Sequence, residues 1–151
     1  MQWLELRVPP PVVTAAAALL MWLIALPFPA LELGLPAAAG APFLAAALMV
    51  GAAAIYGFRK AKTTINPLTP EASSALVSGG VYRFTRNPMY LAMLLVLLGW
   101  ACVVSNAAAL VMLPVFVAYL NRFQIRPEEQ ALQARFGAGF ESYRKRVRRW
   151  L

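Results

Sequence analysis

Charged side chains are absent from three long stretches of this chain, residues 8–31, 33–58 and 87–121, which are 24, 26 and 35 residues long. A helix that crosses a bilayer needs about 20 apolar residues. The first two stretches therefore predict one span each. The third predicts two short spans joined by a tight turn at Ser105 and Asn106. Prolines mark the edges: Pro9, Pro10 and Pro11 suit an extended entry and a first helical turn, whereas Pro27 and Pro29 kink or end a helix. The expected spans are about 11–31, 42–58, 88–104 and 107–121, followed by a tail, 122–151.

The last two spans are short. At 1.5 Å per residue they reach about 21 to 24 Å, against an apolar bilayer core of about 30 Å. The fourth is therefore expected to continue past Arg122, with that side chain reaching the interface. The second span carries Ala45, Ala46, Ala47, Gly51, Ala52, Ala53 and Ala54, small residues that permit close helix contact through van der Waals packing. In the tail, residues 128–136 read as a helix with Leu132 and Phe136 on one face. Gly137 and Gly139 are expected to break it. Phe140, Tyr143, Val147 and Trp150 then recur every three or four residues among Arg144, Lys145, Arg148 and Arg149. That pattern is an amphipathic basic helix suited to the headgroup layer, and surface anchoring alone would account for it. The expected fold class is all-α integral membrane, a single domain over 1–151 with four transmembrane helices and a cytoplasmic amphipathic helical tail.

Composition narrows this by exclusion. Hydrophobic residues make up 61% and charged residues 13%, against about 25% charged in ordinary soluble domains, so a soluble globular protein is excluded. The first apolar stretch exceeds the roughly 7–15 residues of a signal-peptide core and runs at once into a second span, so a retained helix is expected. The net charge is +8, from 14 Lys and Arg against 6 Glu, with no Asp and no His. A basic balance fits nucleic acid or an anionic membrane surface, and the apolar stretches decide for the membrane and against nucleic acid.

The basic residues also sort. Arg7 precedes the first span; Arg59, Lys60, Lys62, Arg83 and Arg86 lie between the second and third; all others follow the fourth. The 32–40 loop and the Ser105 turn carry none. The positive-inside rule then places both termini and the 59–86 loop in the cytoplasm, the expected setting being a bacterial inner membrane. Arg59, Lys60 and Lys62 form a cluster suited to lipid phosphates. Asn66, Pro67 and Pro70 are turn formers in an irregular segment after it. Lack of His removes the commonest metal ligand and the usual base near neutral pH. The single Cys102 makes no internal disulfide and, without His, no zinc site.

Two polar, aromatic segments fall on the basic side. One is Gly80-x-Tyr82-Arg83-xx-Arg86-Asn87-Pro88-x-Tyr90; the other joins Glu128-Glu129 to Phe136-Gly137 and Tyr143. The helix 3–4 hairpin returns the chain to the same face, so the two can meet. In this order, over about residues 66–151, they resemble the isoprenylcysteine carboxyl methyltransferase and phospholipid N-methyltransferase superfamily of membrane enzymes. Eukaryotic members often carry His where Asn87 stands here. The superfamily also includes the carboxy-terminal part of membrane sterol reductases, which use a nicotinamide cofactor.

The resemblance implies S-adenosylmethionine bound at the cytoplasmic ends of helices 3 and 4 and covered by the tail. It implies methyl transfer to a lipophilic acceptor from the bilayer: an isoprenoid-type carboxylate or thiol, or a lipid amine. The implied cofactor-binding residues are Tyr82, Arg83, Asn87, Pro88, Glu128, Glu129, Phe136 and Tyr143, and the implied catalytic residues are Arg86, Tyr90 and Glu129. Glu128 and Glu129 would hold the ammonium by charge-assisted bonds. Arg83 or Arg86 would take the carboxylate, helped by free N–H groups at the start of helix 3. Phe136, Phe140 and Tyr143 would form an apolar slot for adenine. Methyl transfer is an in-line displacement that depends on alignment and exclusion of water, and it requires no metal.

The same residues also have structural readings. Arg83 and Arg86 can be interfacial phosphate contacts, and Glu128 and Glu129 a helix-start pair favoured by the macrodipole. Asn87 can be an N-cap whose side-chain oxygen accepts a free N–H. Tyr82, Tyr90, Tyr143 and Trp150 can be belt aromatics. Asn121 and Arg122 stand at a span's end, where polar groups can mark an acceptor pathway. A nicotinamide-dependent reductase-like member and a non-catalytic membrane scaffold are the alternative functions. The acceptor and the oligomeric state are open.

Overall fold

The computed structural model describes residues 5–63 and 74–151. Asn66, Pro67 and Pro70 lie outside the described residues. Six α-helices occur among those described: α1 Pro10–Ala25, α2 Ala41–Lys60, α3 Pro88–Val104, α4 Met112–Leu120, α5 Arg126–Phe136 and α6 Ala138–Arg146. No strand accompanies them; the one ladder element is an isolated bridge between Glu32 and Asn106.

Helix α1 ends at Ala25, six residues before the expected limit of Leu31. Pro27 cannot donate to the ladder and its ring clashes with the preceding turn. The chain continues as a short 3-10 turn, Pro29–Leu31. The fourth span departs from expectation in the other direction. It begins as a 3-10 turn, Ala107–Val111, becomes α4, passes through a π-turn, Asn121–Ile125, and runs on into α5. Ala107–Phe136 is thus one helical rod of 30 residues, and the expected continuation past Arg122 is present. Ala37–Lys60 and Ala107–Phe136 are long and apolar enough to cross a membrane, whereas α1 and α3 are shorter apolar helices.

Helix α3 is the axis of the fold and packs against α1, α2 and α4. The α1 side is apolar: Ala17 and Met21 meet Leu97, Ala101, Phe116 and Leu120 in one buried cluster. Trp100 Nε1 donates to the Ala18 carbonyl at 2.9 Å, tying α3 to α1. On the α2 side the small residues allow close approach. A Cβ on Gly40 would lie 2.6 Å from the Gly99 carbonyl oxygen, so the main chains touch there. Large apolar side chains face outward, among them Leu19 and Leu20 on α1 and Leu48 and Met49 on α2. Such surfaces are stable against lipid.

The loops opposite the basic side are pinned around Ser105, which adopts a left-handed conformation (φ 51°). Leu33 N–H donates to its carbonyl and Leu35 N–H to its hydroxyl, both at 2.7 Å. Asn106 donates to the Phe28 carbonyl at 2.8 Å and accepts from Ala108 N–H. These bonds satisfy backbone groups at a helix start and hold the ends of α1 and α3 together.

The tail is not one amphipathic surface helix. Gly137 (φ 49°) separates α5 from α6, and Gly139, expected to break the chain, lies inside α6. The chain leaves helical geometry at Val147 (ψ 134°), so Trp150 does not continue the Phe140–Tyr143 face. That face is used internally. Phe140 and Tyr143 are buried with Tyr82 and Ala54, and Phe136 and Leu132 pack against them.

Candidate functional site

Gly79 and Gly80 open the site. Gly80 takes φ +60°, a conformation side chains resist, and starts the 3-10 turn Gly80–Arg83. The turn sends Tyr82 inward and leaves Arg83 and Phe84 exposed. The Tyr82 ring lies over Gly57, where a Cβ would stand 3.2 Å from it, and meets Phe58 edge-on at 5.5 Å. Tyr143 donates its hydroxyl proton to the Tyr82 carbonyl at 2.7 Å, locking α6 onto this turn. The Tyr82 hydroxyl itself is buried and has no partner among the described residues.

The next residues carry the start of α3. Pro88 occupies its first turn, where the missing N–H costs nothing. Asn87 stands at the N-cap position, but its side chain does not cap: Nδ2 donates to the Arg149 carbonyl at 2.9 Å. The expected acceptance of a helix N–H is therefore replaced by a bond to the tail. Thr85 reinforces it. Its hydroxyl donates to the same carbonyl at 3.1 Å and accepts Asn87 N–H at 3.1 Å. Arg86 N–H donates to the Arg148 carbonyl at 2.9 Å. Residues 147–150 thus form a strap across the start of α3.

Side chains complete the strap. Arg86 Nη1 donates to the carbonyls of Arg144 and Val147, and its Nη2 to Glu129 Oε1 at 2.7 Å. Arg149 Nη2 takes Glu129 Oε2 at 2.6 Å. Trp150 Nε1 donates to Asn121 Oδ1 at 3.2 Å. Both oxygens of Glu129 are therefore held by guanidinium groups, while Arg86 Nε stays buried with no partner among the described residues. The neighbouring Glu128 faces elsewhere, accepting the Tyr90 hydroxyl proton.

The two carboxylates are driven apart in charge state. They lie beyond the apolar part of the fourth rod, which ends at Leu120. Burial pushes Glu128 up to about 8; the Tyr90 hydrogen bond opposes this and the Glu129 charge adds to it. Burial would also raise Glu129, but the hydrogen bonds and charges of Arg149 and Arg86 outweigh it and hold that carboxyl below its ordinary value. Burial raises the Tyr143 phenol to about 12, and raises Tyr82 too, which additionally feels Tyr143 and Glu128. One carboxylate fixed as an anion beside one titrating near neutrality is an arrangement that can separate holding from proton transfer.

Of the residues singled out from the sequence, Tyr82, Arg86, Asn87, Pro88, Tyr90, Glu128, Glu129, Phe136 and Tyr143 gather at this one end of the bundle. Arg83 is exposed on its outer side. Arg122 pairs with Glu5 at 2.5 Å, away from Asn121, whose side chain serves the strap. Sequence reasoning assigned no role to Thr85, and read Arg149 only as part of the basic face of a headgroup-layer helix. Neither sits at a helical interval from its partner, so periodicity carries no signal for them.

Residues 35–139 match the family profile described as phospholipid methyltransferase, and the matched stretch contains most of the site. An uncharacterized protein of Haemophilus influenzae is 41% identical over 63 residues, which is 42% of this chain and the whole of that one. No solved structure matches the chain significantly.

Proposed function

The chain belongs to the phospholipid methyltransferase family, and from that premise we propose that it transfers a methyl group from S-adenosylmethionine to a lipid-type acceptor. In this reading it is an integral membrane enzyme with four spans, α1 and α3 completing the two longer helices. The sorted basic residues support a cytoplasmic site and cytoplasmic termini.

The observation that carries the reading is that two of the four unsatisfied buried side-chain atoms among the described residues, Tyr82 Oη and Arg86 Nε, fall in this site. Buried polar groups without partners are rare in finished interiors, and a ligand is one explanation for them. The residues fit the cofactor's chemistry. Arg86 suits its carboxylate, and the partly buried Phe136 an adenine face. When bound, S-adenosylmethionine supplies an electrophilic methyl group.

The chain's own residues then have separable tasks. Glu129 holds Arg86 and Arg149 in place and so closes the strap over the start of α3. Tyr90 orients Glu128. An amine acceptor must lose a proton before it can attack, and Glu128 is placed to take it; a carboxylate acceptor needs no base. The packed Tyr82, Phe140 and Tyr143 exclude water.

The test is incubation of purified protein with methyl-labelled S-adenosylmethionine and a total membrane extract. Label is expected in a lipid fraction, and Glu128→Gln should lower its incorporation by about 100-fold for an amine acceptor. No label in any lipid, peptide or small isoprenoid overturns the proposal.

A further inference from the structure

Beside the contact between α2 and α3 lies an apolar groove, a cavity of about 390 Å³ open to the outer face along Leu48. From α2 it is lined by Leu44, Leu48, Gly51 and Ile55, and from α3 by Met89 and Val96. The α2 residues recur at intervals of four, three and four, one face of a helix. The next position on that face is Arg59, exposed at the basic end with Lys60 and Lys62 close by. At the same end Met89 both lines the cavity and packs against the cluster of Tyr82, Phe140 and Tyr143. Met89 is thus the residue that stands between the cavity and the candidate site.

We propose that this cavity holds one acyl chain of the phospholipid acceptor, drawn out straight, with the phosphate of that lipid at Arg59. The inference rests on the methyl-transfer reading and names the acceptor's shape. Three observations decide the occupant. The lining residues are apolar, so a hydrocarbon is favoured. The stripe ends in a cation, which complements a phosphate. The length also discriminates: Arg59 to Leu44 is 15 positions, about 22 Å of helix, whereas half of a bilayer core is about 15 Å. A chain filling the cavity passes the mid-plane in extended form, and short chains leave its far part empty.

Gly51 sets the width at the middle. A Cβ there would meet only Ala92 Cβ, at 3.7 Å, so Ala is accommodated, while Leu would project into the space. Gly51 stands eight positions from Arg59, about 12 Å along the helix. Each methylene added to a chain before an obstruction deepens burial, and each one beyond it does not.

The experiment uses the full chain in nanodiscs with diazirine-tagged phosphatidylethanolamines of graded acyl length. Labelling of 44–55 and 89–96 is measured relative to the outward-facing α1 surface at Leu19 and Leu20, which reports plain lipid exposure. In the native protein the ratio is expected to climb with chain length until the chain reaches Leu44. With Gly51→Leu the climb should stop near the middle, lowering the long-chain ratio by about tenfold or more, because the seven helix positions from Gly51 to Leu44, about 10 Å, no longer take up chain. Gly51→Ala should retain the native profile and shows that the helix still folds. A ratio independent of chain length overturns the proposal, as does protein–protein crosslinking through the cavity, which would assign it to a second copy. Labelling needs neither cofactor nor turnover. A native length profile without methyl transfer would refute the activity and leave the cavity's assignment standing; transfer without a length profile would do the reverse.

Discussion

Arg149 Nη2 lies 2.6 Å from Glu129 Oε2, although the two residues are 20 positions apart, Glu129 in the first turn of α5 and Arg149 in the strap beyond α6. With Arg86 on the other oxygen, this pair fastens the end of the chain across the beginning of α3. The side chains of Arg86 and Glu129 are 10% and 13% exposed and that of Arg149 31%, so the cluster is desolvated on its inner side.

Arg149→Gln leaves Glu129 with one cation. The expected loss of stability is about 1–2 kcal/mol, between the values of exposed and buried pairs because Arg149 is partly solvated. Arg149→Lys should recover only part of it, since an ammonium lacks the guanidinium fork. Thermal unfolding of the detergent-solubilised protein measures both.

Glu129→Gln removes the anion that two guanidinium groups share. Affinity for S-adenosylmethionine is expected to fall severely, because Arg86 loses the partner that aims it. Calorimetry on purified protein is the check. Unchanged affinity would mean that the strap does not shape the cofactor site.

Stability should depend on pH through Glu128 in an unusual direction. Its carboxyl titrates near 4.5 in the unfolded chain and at about 8 in the fold. Between those values the folded state binds the extra proton, so stability falls as pH rises through the window. Glu129, held low, contributes oppositely: its stabilisation is present above the unfolded value and is lost as pH falls below it. Glu128→Gln should flatten the fall above pH 4.5 and leave the acid loss intact, as read from unfolding midpoints across pH.

Tyr90→Phe keeps the ring in the core and deletes the bond to Glu128. That bond lowers the carboxyl's pKa, so its removal moves the value upward. If Glu128 serves as base, the rising limb of the pH–rate profile shifts to higher pH. A limb that stays in place would assign the proton to another group.

Gly40→Ala drives a methyl group to 2.6 Å from the Gly99 carbonyl oxygen, and should cost about 2 kcal/mol by overpacking. The same change at Gly51 meets nothing closer than 3.7 Å and should stabilise α2 by about 0.5–1 kcal/mol. Comparing the two unfolding midpoints tests whether close backbone approach, rather than glycine content, holds α2 to α3.

The bounds of α3 were legible because Pro88 and Ser105 are strong local signals and the run between them is uniformly apolar. The two site segments were legible because they are the polar, aromatic stretches left on one side after the apolar runs are removed. The early end of α1 was present in Pro27, but its position depended on how the loop beyond it packs. The tail misled for a physical reason: Phe140, Tyr143, Val147 and Trp150 keep a helical interval, yet carbonyls near Val147 are bonded by Arg86, Thr85 and Asn87, and these long-range bonds override the period. Asn87 was placed correctly at the cap, but a carbonyl 62 positions away competes for its side chain.

Where Gly40 meets Gly99 the main chains touch, and the one side chain laid against Gly99 is that of Leu44. The joint between α2 and α3 at that end is a fulcrum, and the remainder of each helix is a lever arm extending toward Arg59 and the strap. A small rotation about such a fulcrum would be magnified along the arms, and the groove beside Ile55 and Met89 would open most at its end nearer Arg59.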